Sequence, residues 1–287
     1  MSKTVVFTSC SAARRDALYE RFAPQAEVTR PAFSAYRLKL PDCVITAYLS
    51  GKIVFQGNGA EEYAAWLKPV RPQALFPQAG SDEVGTGDYF GPVCVCAAIV
   101  SETDLPLLRE LGVTDSKLLA DTAIRKIAPV LKKRLCCSLL LVMPEKYNRV
   151  HQTTNMNAIK AQLHNQAYVN LAKKAELPAW KIVDQFAPPE QYYAYLSSSP
   201  TVIGGLHFET KAESKYPSVG AASVIARGAF LDAMEQMSRR YGMVFAKGAG
   251  KEVDQCARRF IRTHGQTALE KVAKLHFKNT ERILNSF

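Results

Sequence analysis

Beyond residue 80 the chain alternates between short apolar runs and long helical segments, and this alternation constrains the fold more than any other feature. Two segments, 157–175 and 218–242, have helical length and periodicity. The apolar runs are of strand length: VCVCAAIV (93–100), CCSLLLVM (136–143) and WKIVDQF (180–186). Strands interleaved with helices of this length predict an α/β domain built on a central sheet.

The first 72 residues form a separate, smaller pattern. One strand-like run, an amphipathic helix, three short strands and a closing helix predict a compact α+β unit. Basic residues outnumber acidic ones here, so the sheet face without helices could bind nucleic acid, or the unit could be a stabilising appendage. Prolines and the absence of periodicity predict a linker at 73–79, which leaves 80–287 as the larger domain.

The formal net charge is +11, which favours a polyanionic partner, and a solvated basic surface is the less favoured alternative. Seven cysteines, an odd number without repeated CxxC spacing, predict reduced structural thiols. We find no signal-like N-terminus and no apolar run long enough to span a bilayer. We therefore expect a cytoplasmic chain that does not enter a membrane.

The stretch GSDEVGTGDYFGPV (80–93) carries the strongest chemical signal. Asp82 and Glu83 are adjacent, and they precede Gly85-Thr86-Gly87. Neighbours on a strand point to opposite faces, so paired acids at one site are unexpected there. Glycines without a Cβ allow backbone to approach a phosphate or sugar, which suggests a site. A turn with solvated acids is the structural alternative.

Two further acids follow strand-like or loop segments. Asp184 closes the apolar run WKIVD, where active sites of open α/β sheets lie, unless it caps a turn. Glu213 precedes a helix expected to start at Pro217–Ser218, and it could also be an ordinary salt-bridging loop residue. Four carboxylates without histidine or cysteine ligands match Mg²⁺ or Mn²⁺. Two such ions about 4 Å apart can cleave a phosphodiester, so a basic chain with this set is a candidate nuclease.

Six ordered motifs together resemble the bacterial ribonuclease HIII family of type 2 ribonucleases H. The resemblance covers about residues 80 to 280. Its motifs are GSDEVGTGDYFGPV, TDSKLL, NMNAIKAQLHNQA, VDQFA, FETKAESKYPSVGAASVIAR and KLHFKNT. The resemblance implies a ribonuclease H-like catalytic domain, a central mixed sheet flanked by helices. It also implies a small N-terminal TATA-binding-protein-like domain, for which YLSGKIVFQG is the matching segment.

By this resemblance, the metal ligands and catalytic residues are Asp82, Glu83, Asp184 and Glu213, which hold two Mg²⁺ or Mn²⁺ ions. The implied reaction is endonucleolytic hydrolysis of the RNA strand of RNA/DNA hybrids, leaving 3′-hydroxyl and 5′-phosphate ends. The backbone of Gly85, Thr86 and Gly87 is expected to read the ribose 2′-hydroxyl. Related ribonucleases HII usually have Asp at the fourth acid and Gly-Arg-Gly in the loop, so Glu213 and Thr86 favour HIII.

Other candidate substrate contacts have local alternatives. Ser116 and Lys117 could bind a phosphate or cap a helix beginning near Leu118. Asn155 could bind the nucleic acid backbone or cap a helix. Lys247 and Lys251 are expected phosphate contacts, whereas an acid at the start of the next helix, Asp254, is not expected to be a fifth ligand.

Two other functions remain open from the sequence. One is ribonuclease HII-like cleavage at single ribonucleotides in duplex DNA. The other is non-catalytic hybrid binding, which the presence of all four acids disfavours. We expect a monomer, with an RNA/DNA hybrid as its partner.

Overall fold

The computed structural model describes residues 3–8, 10–67, 76–113 and 119–285. The chain divides into two compact units, residues 1–73 and 74–287. The sequence-predicted Ser116 and Lys117 lie outside the described residues. Within those residues, no helix has the length and apolar content needed to cross a bilayer.

The N-terminal unit is a five-stranded antiparallel sheet with two helices. The strand order is β1-β5-β4-β3-β2. Its elements are β1 (Lys3–Phe7), α1 (Ala12–Phe22), β2 (Glu27–Thr29), β3 (Ser34–Lys39), β4 (Val44–Tyr48), β5 (Ile53–Gly57) and α2 (Ala60–Leu67). The sequence predicted all of these except β2, whose three exposed residues carry no apolar alternation.

Alternation along β3 and β5 gives this small sheet two different faces. Tyr36 and Leu38 are buried in one core with Leu18 of α1. Arg37, which lies between them in sequence, and Lys39, which follows Leu38, are exposed. The helices therefore cover one face. The opposite face of the sheet carries the basic and polar Arg37, Lys39 and Gln56 together with the apolar Val6 and Val54.

The C-terminal unit has a mixed five-stranded sheet of order β10-β9-β6-β7-β8. Its strands are β6 (Gln78–Val84), β7 (Val93–Val100), β8 (Cys137–Val142), β9 (Trp180–Asp184) and β10 (Leu206–Glu209). The β6–β9 and β9–β10 pairs are parallel, and the β6–β7 and β7–β8 pairs are antiparallel. The predicted α/β fold with a mixed central sheet is confirmed.

Helices pack on both faces of this sheet. They are α3 (Leu105–Glu110), α4 (Asp121–Arg134), α5 (Pro144–His151), α6 (Met156–Ala172), α7 (Pro189–Ala194), α8 (Pro217–Tyr241), α9 (Lys251–His264) and α10 (Lys278–Leu284). Cys94 and Cys96 of β7 share a core with α4 and α8, as their spacing predicts. Val93 and Val95 face the other way, toward α5 and α6. All seven cysteines are free thiols.

The central strand β6 begins earlier than the sequence indicates. Gln78 and Ala79 fall in the segment assigned to the linker, yet both are fully buried. The Gln78 carboxamide accepts a hydrogen bond of 2.8 Å from the Ser218 hydroxyl at the start of α8. A polar residue after a proline has the local character of a linker. Gln78 becomes part of a strand through its pairing with Val100 and Trp180, which are distant in sequence.

Candidate active site

The helix α8 lies unusually close to β6, and small residues make this possible. A Cβ added at Gly80 would overlap the backbone nitrogen of Val219, so a side chain at this position would push the two elements apart. Gly220 similarly packs against the backbone oxygen of Glu213. The predicted start of α8 at Pro217–Ser218 is confirmed, as is the close packing expected of its first turn.

Asp82 and Glu83 lie near the end of β6 and face opposite sides of the sheet. Asp82 shares the α8 face with Gly80, and its carboxyl group is hydrogen-bonded to Ser223 of α8. Glu83 faces α6, where its two carboxylate oxygens contact Lys160 and His164. The alternation of a regular strand is therefore kept. The two adjacent acids have entirely different surroundings.

Asp184 joins Asp82 on the α8 face because β6 and β9 are parallel. Ser81 pairs with Val183, so Asp82 and Asp184 are the next residues along each strand. In a parallel pair such residues share a face and lie at the same edge of the sheet. Asp184 is thus placed at the carboxyl end of β9, where ligands of open α/β sheets bind.

A backbone hydrogen bond connects Asp184 to the segment carrying Glu213. The amide of Ala212 donates to Asp184 Oδ1 at 2.8 Å, and Ala212 opens a 3₁₀ turn, Ala212–Ser214. Glu213 is the middle residue of this turn and is only 3% exposed. Its burial contrasts with the exposure that its flanking lysines suggest.

The environment of Asp82 is strongly unfavourable to a negative charge. Burial raises the pKa of its carboxyl well above the ordinary value, and the charges of Glu83 and Asp184 raise it further. Hydrogen bonds from Ser223 and from the Glu83 amide (2.7 Å) oppose this rise. Crowded carboxyls in a buried site are a charge distribution that a bound cation relieves.

The donor chemistry suits divalent ions, although the side chains do not form a ready-made cage. Oxygen ligands from four acids match hard cations such as Mg²⁺ and Mn²⁺. In the described part of the chain, however, no three His, Cys, Asp or Glu side chains are arranged to hold an ion. Both carboxylate oxygens of Glu83 contact side chains of α6.

The glycine loop follows directly, and its two glycines differ. Gly85 has a positive φ of 95°, and a Cβ there would overlap the carbonyl oxygen of Pro92. A Cβ added at Gly87 would meet no heavy atom of a surrounding residue within 4 Å, so this position is open. Gly85 shapes the turn, whereas Gly87 presents accessible backbone beside the acids.

A segment near the C-terminus holds the end of this loop. The Lys274 amide donates to the Tyr89 carbonyl at 2.8 Å, and the Gly91 amide donates to the Val272 carbonyl at 3.0 Å. The fully buried Lys274 ammonium donates to the Gly91 carbonyl at 2.6 Å. Burial lowers the pKa of Lys274 to about 7. The KLHFKNT motif thus has a structural part in the site.

The remaining predicted substrate contacts have other partners or positions. Asn155 is the N-cap of α6, with its Oδ1 accepting from the Ala158 amide at 2.9 Å, so the capping alternative holds. Lys247 forms an ion pair with Asp121. Lys251 opens α9 and lines a groove of about 540 Å³. Asp254 lies in the first turn of α9 and pairs with Arg282, as expected of a non-ligand.

Three residues near the acids were not identified from the sequence. Ser223, Lys160 and His164 all contact a candidate ligand. The four-residue spacing of Lys160 and His164 places them on one helix face, which is the only local signal they carry.

The fold and the acidic strand ends define the chain's class as a type 2 ribonuclease H. The family model "Ribonuclease HII" matches residues 79–280, and "Domain of unknown function (DUF3378)" matches residues 4–78. Ribonuclease HIII of Bacillus velezensis is 41% identical, over 98% of this chain and 97% of that protein. Ribonuclease HIII of Streptococcus pneumoniae is 39% identical, over 94% and 95%.

Among solved structures, Bst-RNase HIII in complex with Mn²⁺ matches with a TM-score of 0.75 and 38% identity, covering 99% of both chains. The chain belongs to the ribonuclease HIII family.

Proposed function

We propose that this protein is an endoribonuclease that hydrolyses the RNA strand of RNA/DNA hybrids with Mg²⁺ or Mn²⁺, leaving 3′-hydroxyl and 5′-phosphate ends. One observation carries the proposal: parallel pairing of β6 and β9 places Asp82 and Asp184 side by side at one sheet edge. This edge adjoins the open backbone of Gly87, in a chain whose relatives are ribonucleases HIII.

In this proposal Asp82, Glu83, Asp184 and Glu213 hold two divalent ions. Bound there, such ions supply an activated water and neutralise charge on the leaving oxygen. Asp82 is the central ligand because it adjoins both Glu83 and Asp184, and Ser223 fixes its carboxyl group. The hydrogen bond from Ala212 orients Asp184 and keeps the Glu213 turn beside it. No protein nucleophile is required.

Strand choice is assigned to the backbone of Gly85, Thr86 and Gly87, which would contact the 2′-hydroxyl that only RNA carries. Lys251 would contribute a phosphate contact at the start of α9. Lys247 could do so only by leaving Asp121. We place the protein in the cytoplasm, with the nucleic acids it acts on. It would act as a monomer, since one chain supplies all four acids.

Substrate choice tests the function directly. Cleavage of a long RNA/DNA hybrid should exceed cleavage of a DNA duplex with one embedded ribonucleotide, and chelation of divalent ions should stop both. Gel analysis of end-labelled substrates gives the rates and the end chemistry. A strong preference for the single ribonucleotide would favour the ribonuclease HII-like alternative, and metal-independent cleavage would contradict the site.

We further propose that the N-terminal unit, residues 1–72 before the 73–79 linker, binds the hybrid through its open sheet face. Arg37, Lys39 and Gln56 are exposed on that face. Phosphate contacts by basic side chains supply most of the affinity of such surfaces. The face should therefore affect substrate affinity more than the chemical step.

Deleting residues 1–72 should raise the Michaelis constant for hybrid by about tenfold or more, with kcat at saturation changed by less than about threefold. In the full chain, Arg37→Glu with Lys39→Glu should raise the Michaelis constant in the same direction. Arg21→Glu on α1, which faces away from this surface, is the matched control. Steady-state kinetics at two salt concentrations measure the effect, and an unchanged Michaelis constant would argue against the binding role.

A further inference from the structure

Glu83 is surrounded on the α6 face of β6 by a buried cluster whose other members have no part in the mechanism above. Lys160 and His164, one turn apart on α6, both reach Glu83. The His164 Nε2 lies 2.8 Å from Glu83 Oε2, and the Lys160 ammonium forms an ion pair with Glu83 Oε1. On its other side His164 Nδ1 lies 2.7 Å from the Ser81 hydroxyl. An ionised carboxylate only accepts hydrogen bonds, so both α6 side chains donate to Glu83.

This cluster is removed from water. The Lys160 side chain is 10% exposed, that of Glu83 11%, and that of His164 is fully buried. The ring of Phe186, two residues beyond Asp184, lies 4.0 Å from the Lys160 ammonium and covers it. Although burial works against ionisation, hydrogen bonding and charge from His164, with the charge of Lys160, lower the pKa of Glu83.

Stability of the fold does not account for such a pair. Taking two charges out of water costs about as much as their attraction returns, so an apolar pair of similar volume often stabilises a core equally well. The pair has a local effect, because it holds a positive charge beside one carboxylate oxygen of Glu83. Among the described residues, no cation is a neighbour of Asp82 comparable to Lys160, and the pKa of Asp82 shifts in the opposite direction.

We propose that Lys160 is the resident counter-ion of Glu83 and competes with a divalent ion for its carboxylate, so that this lysine sets the metal affinity of the site. His164, held by Ser81, keeps the other oxygen in place and makes Glu83 a pre-oriented ligand. The proposal rests on the assignment of Glu83 as a ligand. It adds a positioning residue whose role is to weaken metal binding, and thereby to make it reversible.

Mn²⁺ binding to the full-length protein without nucleic acid tests this by calorimetry. Lys160→Met, which keeps the volume and removes the charge, should lower the Kd for Mn²⁺ by about fivefold or more, since a nearby like charge opposes the ion. Lys160→Gln should act in the same direction if the methionine variant folds poorly. Lys160→Arg, which keeps the charge, should stay within about twofold of wild type.

A double-mutant cycle with Glu83→Gln distinguishes competition for the Glu83 carboxylate from a long-range effect of the Lys160 charge on the metal ion. In the Glu83→Gln background, Lys160→Met should leave the Kd nearly unchanged. Lys174→Met, an exposed residue beyond the end of α6, is the control and should have no effect. Mn²⁺ binding by Lys160→Met that is equal to or weaker than that of wild type would overturn the proposal. So would an equally large decrease in Kd when Lys160→Met is introduced into the Glu83→Gln background.

The same titration distinguishes this inference from the proposed function. Asp82→Asn should lose Mn²⁺ binding, and retention of full binding would contradict the metal site itself. Loss in Asp82→Asn combined with no effect of Lys160→Met would leave the metal site standing and remove only the role of Lys160.

Discussion

Replacing Asp82 by asparagine should abolish metal-dependent cleavage while leaving hybrid binding intact. The charges of both Glu83 and Asp184 act on Asp82, so the substitution removes the central ligand of the proposed site. Loss of several kcal/mol of transition-state stabilisation corresponds to a decrease in kcat of about 10³-fold or more. The Kd for hybrid should change by less than about threefold. Single-turnover cleavage and fluorescence anisotropy measure the two quantities separately.

The same variant should also be more stable than wild type in the absence of divalent ions. The raised pKa of Asp82 means that the folded state binds its proton more tightly than the unfolded state does, so its contribution to stability is lost as pH rises through the folded-state pKa. Asparagine does not ionise, so the Asp82→Asn variant does not lose this stability at neutral pH. Asp232→Asn, on the exposed part of α8, is the control and should match wild type in activity. Undiminished cleavage by Asp82→Asn would refute the site.

The second large effect concerns the two glycines of the loop, which should respond in opposite ways to alanine. Gly85→Ala places a Cβ against the Pro92 carbonyl and forces a positive φ on a non-glycine residue. It should cost on the order of 3 kcal/mol, or roughly 6–12 °C in Tm. Thermal denaturation followed by circular dichroism measures it.

Gly87→Ala should leave the Tm unchanged, because a Cβ there meets open space. It should nevertheless raise the Michaelis constant for hybrid by about tenfold, since the added methyl group occupies space that the ribose needs. The pair is its own control: each variant adds one methyl group, two residues apart. Full activity in Gly87→Ala would exclude this backbone from substrate reading, and a wild-type Tm in Gly85→Ala would contradict the loop geometry.

Local sequence patterns predicted most of the C-terminal unit. The apolar runs became β7, β8 and β9, and the long periodic segments became α6 and α8, because burial and periodicity are properties of neighbouring residues. The start of β6 was hidden because the partners of Gln78, namely Val100, Trp180 and Ser218, are all distant in sequence. The three exposed residues of β2 could not be distinguished from a loop.

The surroundings of the four proposed ligands could not be predicted from the sequence. Local patterns singled out the four acids, and the resemblance to a family proposed them as one ligand set. The rule that strand neighbours face apart applies to Asp82 and Glu83, because β6 stays regular at both positions. The partners of Glu83 could not be found this way, because Lys160 and His164 lie on a helix about eighty residues away in sequence. Burial of Glu213 likewise depends on α8, whereas its flanking lysines suggest an exposed residue.

Val272 and Lys274 form a strap, the segment near the C-terminus that holds the end of the glycine loop. Because the strap is synthesised late, the order of chain synthesis affects when the site can become active. All four acids precede this strap, yet it supplies the hydrogen-bond partners of the Tyr89 carbonyl and of the Gly91 amide and carbonyl. A growing polypeptide therefore carries a full set of carboxylates long before the glycine loop can be fixed beside them. The segment that organises the site would leave the ribosome after all four acids. Products terminated before the strap would therefore lack an organised nuclease site.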